Sequence, residues 1–197
     1  MRTNDAGVDL IKYFEGLQLR AYLCPANVLT IGYGHTGPDV REGMEISEAQ
    51  ADQLLREDLR RFEEDVERLV TVPVNENEFS ALGSLPYNIG PGNFKSSSCL
   101  KFLNAGDRQE AASRIELWNK ATVNGERVVL EGLVRRRAAE KALFLTPVHN
   151  QIISISSRDV EPDGEDSRNV RAYSGQVAMS QKRQEEEKKT DERTATG

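Results

Sequence analysis

Apolar residues in this chain change their spacing along its length, and each change marks a predicted element. Val8, Ile11, Phe14 and Leu17 recur at three-residue steps, which predicts an amphipathic helix that buries one stripe and ends near Gly16. Glu15 falls in its last turn. From Leu17 to Thr36 the pattern becomes Leu19, Tyr22, Val28, Thr30, Ile31 and Tyr33, with Pro25 and Asn27 as turn residues, and predicts a small hairpin-based sheet. Ser47 with Gln50 is a capping-box signature, and Leu55, Leu59, Phe62, Val66 and Leu69 follow at steps of four and three. A long helix is therefore expected near residues 47 to 70, ending before Pro73. Asn75 with Glu78, and Asp107 with Glu110, repeat the capping logic ahead of two further helical patterns. A last helix is expected from about Leu130 to Leu145, stopped by Pro147.

Beyond His149 the period is lost. Residues 151–197 mix Ser, Gln, Glu, Lys and Arg with a single aromatic residue, Tyr173, a composition that buries too little apolar surface to offset the entropy of ordering. The domain reading is one folded unit over residues 1–149 and a charged, disordered tail over 150–197, whose deletion should leave function intact. The 38% hydrophobic and 29% charged composition of the 197 residues is that of a globular protein with one main core.

Charge and cysteine content narrow the function classes. A formal charge of -6 argues against a nucleic-acid partner, which needs a concentrated basic surface, and leaves recognition to a local cleft. Cys24 and Cys99 stand far apart, so neither a disulfide framework nor a zinc site is indicated. No metal or organic cofactor is implied. No apolar stretch is long enough for a signal peptide or a membrane span. The expectation is a monomer without stable membrane insertion, located in the cytoplasm.

The chemically informative constellation is Glu15 at a helix end, followed by Thr30-Ile31-Gly32-Tyr33-Gly34-His35-Thr36. Such a hairpin can place small hydroxyl and imidazole groups beside a carboxyl. Glycosidic cleavage needs one carboxylic acid to protonate the leaving oxygen, and usually a second group across the bond to activate or hold water. Phe14 and Leu17 give Glu15 an apolar setting in sequence. An acid near a helix C-terminus is opposed by the helix dipole, so its position calls for a reason. Gly32-Tyr33-Gly34 lacks the third glycine and the lysine of a phosphate loop.

Phe14-Glu15-Gly16-Leu17, Ala21-Tyr22 and Thr30 to Gly37 resemble the signature of the phage-type lysozymes, the family of the T-even and lambdoid-prophage muramidases. The resemblance continues in order through Phe79 to Leu82, Tyr87-Asn88-Ile89-Gly90, Asn93-Phe94, Leu103 to Asp107, Trp118 and Gly132 to Glu140, and covers roughly residues 7 to 147. It implies an α+β fold: a small sheet lobe and a mainly helical C-terminal lobe joined by a long helix, with a cleft between the lobes. It also implies an endolysin that hydrolyses the β-1,4 bond between N-acetylmuramic acid and N-acetylglucosamine in bacterial peptidoglycan, with net inversion, and is held in the host cytoplasm until released to the wall.

Carried over by position, the resemblance makes Glu15 the general acid and Thr30 the residue that holds water. The aspartate usual in the family falls on Cys24, a departure inside the site. A neutral thiol neither activates water nor stabilises positive charge well, and a thiolate requires a pKa below the ordinary value of about 8.5. The resemblance further places Tyr33, Asn88, Trp118 and Arg136 as substrate-binding candidates, with Asn88 and Trp118 either lining the cleft or supporting it. His35 is expected to form a buried ion pair with Asp58, a structural role. Tyr22, Phe94, Leu103 and Phe144 are assigned to the core. Two alternatives stay open: a non-catalytic wall-binding descendant, and cleavage by the sugar's own hydroxyl to give an anhydro product.

Overall fold

The computed structural model describes residues 1–24, 27–123 and 125–148. The tail expected over 150–197 lies outside the described residues. In chain order the elements are α1 (Asp5–Glu15), β1 (Gln18–Leu23), β2 (Leu29–Gly32), α2 (Glu48–Leu69), α3 (Glu76–Ile89), α4 (Pro91–Lys95), α5 (Ser98–Asn104), α6 (Arg108–Ile115), β3 (Lys120–Val123), β4 (Glu126–Val129) and α7 (Glu131–Leu145). This is the mixed, mostly helical lysozyme-like architecture that the resemblance implies.

The predicted caps start the predicted helices. Ser47 Oγ accepts from the Gln50 N–H at 3.3 Å while the Ser47 N–H donates to Gln50 Oε1 at 2.8 Å, so α2 opens with two backbone donors satisfied reciprocally. Asn75 and Glu78 do the same for α3, and Asp107 accepts from the Glu110 N–H to start α6. At the other end of α1, Gly16 takes φ 72, a left-handed conformation that lets the chain leave the helix and enter β1 three residues after Glu15.

β1 and β2 pair antiparallel with Tyr22 opposite Thr30 and Leu23 opposite Leu29, and a bulge lies between Gln18 and Tyr22. Residues 44–46 run along the free edge of β1, with the Ala21 N–H donating to the Met44 carbonyl and the Ile46 N–H to the Leu19 carbonyl. Tyr22 departs from its core assignment: it is 41% exposed and packs in neither hydrophobic core.

Two hydrophobic cores sit side by side. The first joins Val8 and Ile11 of α1 with Ile31, Tyr33 and Leu55 and Leu59 of α2. The second joins Val66 of the same helix with Phe79, Leu82, Phe94, Leu103 and Phe144. The 22 residues of α2, about 33 Å of helix, thus contribute to both lobes. Where α1 crosses α3, a Cβ on Gly7 would stand 2.7 Å from Ser80 Cβ and 2.7 Å from Thr3 Cγ2, so only glycine permits that approach. The pattern reading did not assign α4, α5 or the β3–β4 hairpin, in which Lys120 pairs with Val129 and Val123 with Glu126.

Candidate active site

Glu15 ends α1 with its side chain 24% exposed, at a groove of about 510 Å³. The other walls come from Tyr13 and Phe14, from Asn88 near the end of α3, and from Leu130, Gly132, Leu133, Arg135 and Arg136 at the start of α7. Tyr13 and Phe14 meet edge to face, their ring centroids 4.9 Å apart. Phe14, read from sequence as part of the buried stripe, is half-buried and belongs to this wall.

The surroundings of Glu15 are ionic as well as apolar. Arg136, 3% exposed, donates from Nη1 to Glu15 Oε1 at 2.6 Å, and its guanidinium carbon lies 5.8 Å from the Phe14 ring centroid. The same guanidinium donates from Nε to Glu140 Oε1 at 3.2 Å. Glu140 is fully buried; its Oε1 also accepts from Ser84 Oγ at 2.7 Å, and its Oε2 lies 2.7 Å from Arg137 Nη1, close as an ion pair although not aligned as a hydrogen bond. Arg137 in turn donates from Nη2 to Asn88 Oδ1. A continuous chain of polar contacts therefore runs from Glu15 through α7 to Asn88. Sequence reasoning singled out Arg136 from the run Arg135-Arg136-Arg137, gave Arg137 no role of its own, and missed Glu140 and Ser84. Their signal was present: Glu140 stands four residues after Arg136 and three after Arg137, the spacings at which helix side chains meet.

Thr30 and Cys24 lie outside the residues that line the groove. Thr30 is buried in β2, and its Oγ1 donates to the Val28 carbonyl at 3.0 Å. Cys24 follows β1; its N–H donates to the Val28 carbonyl at 3.0 Å and its carbonyl accepts from the Asn27 N–H at 2.8 Å, with Asn27 at φ 59. Because Tyr22 pairs with Thr30 and Cys24 is two residues further on, Cys24 and Thr30 are diagonal neighbours on one face of the hairpin.

Two substrate-binding candidates are placed in cores rather than in the groove. Tyr33 is 6% exposed in the first core, where its carbonyl accepts from the Tyr87 hydroxyl at 2.9 Å and Lys12 Nζ sits 5.3 Å from its ring centroid. Trp118 is half-buried against the second core. Glu15, Asn88 and Arg136 are the candidates brought together. Burial pushes the Tyr87 hydroxyl pKa up, helped by the charges of Asp58 and Glu15, so this phenol stays protonated as the donor to Tyr33.

The His35–Asp58 pair forms as expected. His35 Nδ1 is 2.9 Å from Asp58 Oδ2, and Nε2 is 3.1 Å from Asp39 Oδ2. Burial works against the imidazolium, but the hydrogen bonds and charges of Asp58 and then Asp39 outweigh it, so the His35 pKa lies above the ordinary histidine value. Its bond to His35 holds the Asp39 carboxyl below the usual range. Burial and the charge of Glu140 push the Cys99 thiol up to about 12, which makes it an inert core residue. Among the described residues, no group of three His, Cys, Asp or Glu side chains could hold a metal ion, and no helix is long and apolar enough to cross a membrane.

Comparison with known proteins matches this geometry to a family. The Phage lysozyme family model covers residues 12–140. The endolysin of Bacillus phage B103 is 46% identical over 148 residues, which are 74% of this chain and 55% of that protein. The endolysin of Acyrthosiphon pisum secondary endosymbiont phage 1 is 44% identical over 144 residues, covering 73% of this chain and 98% of that protein. Among solved structures, the muramidase domain of SpmX from Asticaccaulis excentricus is 46% identical, with a TM-score of 0.71 over 74% of this chain and 99% of that one. The chain spans about half the length of the B103 endolysin and nearly the whole of the other two. With a groove built around Glu15 and a family match running from Lys12 to Glu140, the chain belongs to the phage lysozyme family.

Proposed function

We propose that the chain is an endolysin-type muramidase that hydrolyses the β-1,4 bond between N-acetylmuramic acid and N-acetylglucosamine in bacterial peptidoglycan, with Glu15 as its general acid. The observation that carries this reading is the placement of Glu15 at the end of α1 in an open groove, with one carboxylate oxygen held by Arg136. Among the described residues Oε2 has no hydrogen-bond partner, and it is the oxygen offered to the substrate.

In this reading Glu15 gives its proton to the glycosidic oxygen as the bond from that oxygen to the anomeric carbon breaks. Water then adds to the anomeric carbon from the opposite face, which inverts the configuration and calls for roughly 6.5–9.5 Å between the acid and the groups that hold the water. Thr30 Oγ1 commits its own proton to the Val28 carbonyl, so its lone pairs accept from the water and orient it. Cys24, on the same hairpin face, takes the place of the aspartate usual in the family: as a thiolate it accepts the proton that water loses, and as a thiol it leaves that proton to pass to solvent. Net hydrolysis adds one water across the bond. The working partner is peptidoglycan, bound by a monomer without nucleic acid, after release from the host cytoplasm.

A second reading, a wall-binding descendant without catalysis, is favoured by one observation, the cysteine at position 24. The deciding experiment exposes purified peptidoglycan to the wild type and to Glu15→Gln and weighs the fragments. Hydrolysed muropeptides from the wild type alone support the muramidase. Anhydro products replace hydrolysis by attack of the sugar's own hydroxyl. Two folded but inert proteins leave the binding reading standing.

A further inference from the structure

A general acid must carry a proton at its working pH, yet a guanidinium bonded to a carboxyl favours the ionised form. Arg136 makes that bond to Glu15 at 2.6 Å, in a setting where it is itself almost wholly buried. Low local dielectric strengthens such a contact. Something must offset the cation if Glu15 is to act.

We propose that Glu140 is a positioning residue for Glu15 that acts through Arg136: by sharing the Arg136 guanidinium it balances that charge and lets the acid keep its proton. The proposal rests on the reading of Glu15 as the general acid. Glu140 takes Arg136 Nε on Oε1 at 3.2 Å, and the Ser84 hydroxyl, at 2.7 Å on the same oxygen, fixes the carboxylate from α3. Its other oxygen faces Arg137 Nη1 at 2.7 Å, and once Glu15 is protonated Glu140 is, among the described residues, the one carboxylate still in contact with Arg136. Among the described residues Arg136 Nη2 is buried without a hydrogen-bond acceptor. The guanidinium is thus under-bonded, and if Glu140 lost its charge, Glu15 would be left as the anion bonded to it.

The other groups facing this cluster do not supply the balance. From α3 come the Tyr87 hydroxyl, which is neutral, and Asn88, which is engaged with Arg137. On α7, Arg135 adds a further cation to the groove wall but is bonded to Glu131 at 3.0 Å. On α1, Lys12 one turn back is held by Asp52 at 2.8 Å. Fold stability alone does not call for a carboxylate in this position, because apolar packing of similar volume is often as stabilising as a buried ion pair.

The test is Glu140→Gln, which keeps the shape and the Ser84 contact but removes the charge. Two readouts are taken: the pH–rate profile on peptidoglycan, and the carboxyl-carbon resonance of Glu15 followed with pH. The expected result is that the alkaline limb of the profile and the midpoint of the Glu15 resonance both move to lower pH, while Glu140→Asp leaves them closer to the wild type. A variant that loses stability but keeps both in place overturns the proposal. Should the wild type prove inactive, the muramidase reading fails but the resonance still decides this one. Should Glu140→Gln not fold, Arg137→Gln asks the question with opposite sign. Removing that cation leaves Glu140 wholly on Arg136, and the resonance is expected to move to higher pH; no movement again overturns the proposal.

Discussion

His35 Nδ1 lies 2.9 Å from Asp58 Oδ2, joining the loop after β2 to the middle of α2 with both side chains largely buried. This contact is an electrostatic clamp on the first lobe, made by residues outside the groove lining. Breaking it by Asp58→Asn is expected to cost roughly 2–3 kcal/mol of stability near pH 6. Urea unfolding provides the measurement. A loss of rate per folded molecule larger than the loss of stability would assign His35 and Asp58 to the chemistry instead.

The pH dependence of the clamp follows from the direction of its shifts. The His35 pKa is raised in the fold, so its contribution is fully present below the unfolded value of about 6.5 and is lost as pH rises through the folded value. The Asp39 pKa is lowered, so its smaller contribution is present above the unfolded value and is lost as pH falls through the folded one. The difference in stability between wild type and Asp58→Asn should therefore shrink between pH 6 and pH 9. A difference that grows over that range contradicts the assignment.

Cys24 is open to a direct chemical test. If the thiol takes part in the reaction, Cys24→Ser lowers the rate and Cys24→Asp raises it, by about tenfold or more, because a carboxylate activates water better at neutral pH. Full activity in Cys24→Ser would leave Glu15 and Thr30 as the only groups that act on the bond.

Asn88 and Trp118 should separate in kinetics. Asn88 lines the groove and Trp118 packs on the second core. Asn88→Ala is expected to raise KM, together with some loss of stability because Arg137 loses an acceptor. Trp118→Phe should lower stability by about 1 kcal/mol with KM unchanged. The opposite pattern in steady-state kinetics would return Trp118 to the groove.

Gly7 tests the crossing of α1 and α3. Adding one methyl brings it within 2.7 Å of Ser80 Cβ and Thr3 Cγ2, and Gly7→Ala should cost about 1–3 kcal/mol through forced shifts of the helix. A melting temperature equal to the wild type's would mean that the crossing yields easily.

The legible parts of this molecule were local. Ser47 with Gln50 and Asn75 with Glu78 announce their helices because cap and capped donor are three residues apart. His35 and Asp58 are 23 residues apart, and only the family resemblance joined them. α4 and α5 were missed because five and seven residues are too few to establish a helical period. The β3–β4 hairpin carried a readable signal in Asn124-Gly125 between Thr122-Val123 and Arg127-Val128. The burial of Tyr33 and the exposure of Tyr22 could not be read from alternation, since Tyr33 stands just past β2 and the burial of each is decided by tertiary packing. Glu140 escaped notice because a glutamate in a run of charged helix residues ordinarily faces solvent, and only packing against Ser84 turns it inward.

That inward chain of charge also restricts how the sequence can drift. Replacing any one of Arg136, Glu140 or Arg137 alone strands an unbalanced ion in the interior, at a cost of roughly 3–5 kcal/mol, a large share of what a domain of this size has to spare. A lineage can leave this arrangement only by exchanging oppositely charged partners in the same step, or by first gaining stability elsewhere. The exposed pairs on the same helix, Arg135 with Glu131 and Lys141 with Glu116, carry no such stability penalty. Within α7, adjacent arginines thus differ in what the fold asks of them: Arg135 is tied only to an exposed partner, whereas Arg136 is locked to two carboxylates, one of them fully buried.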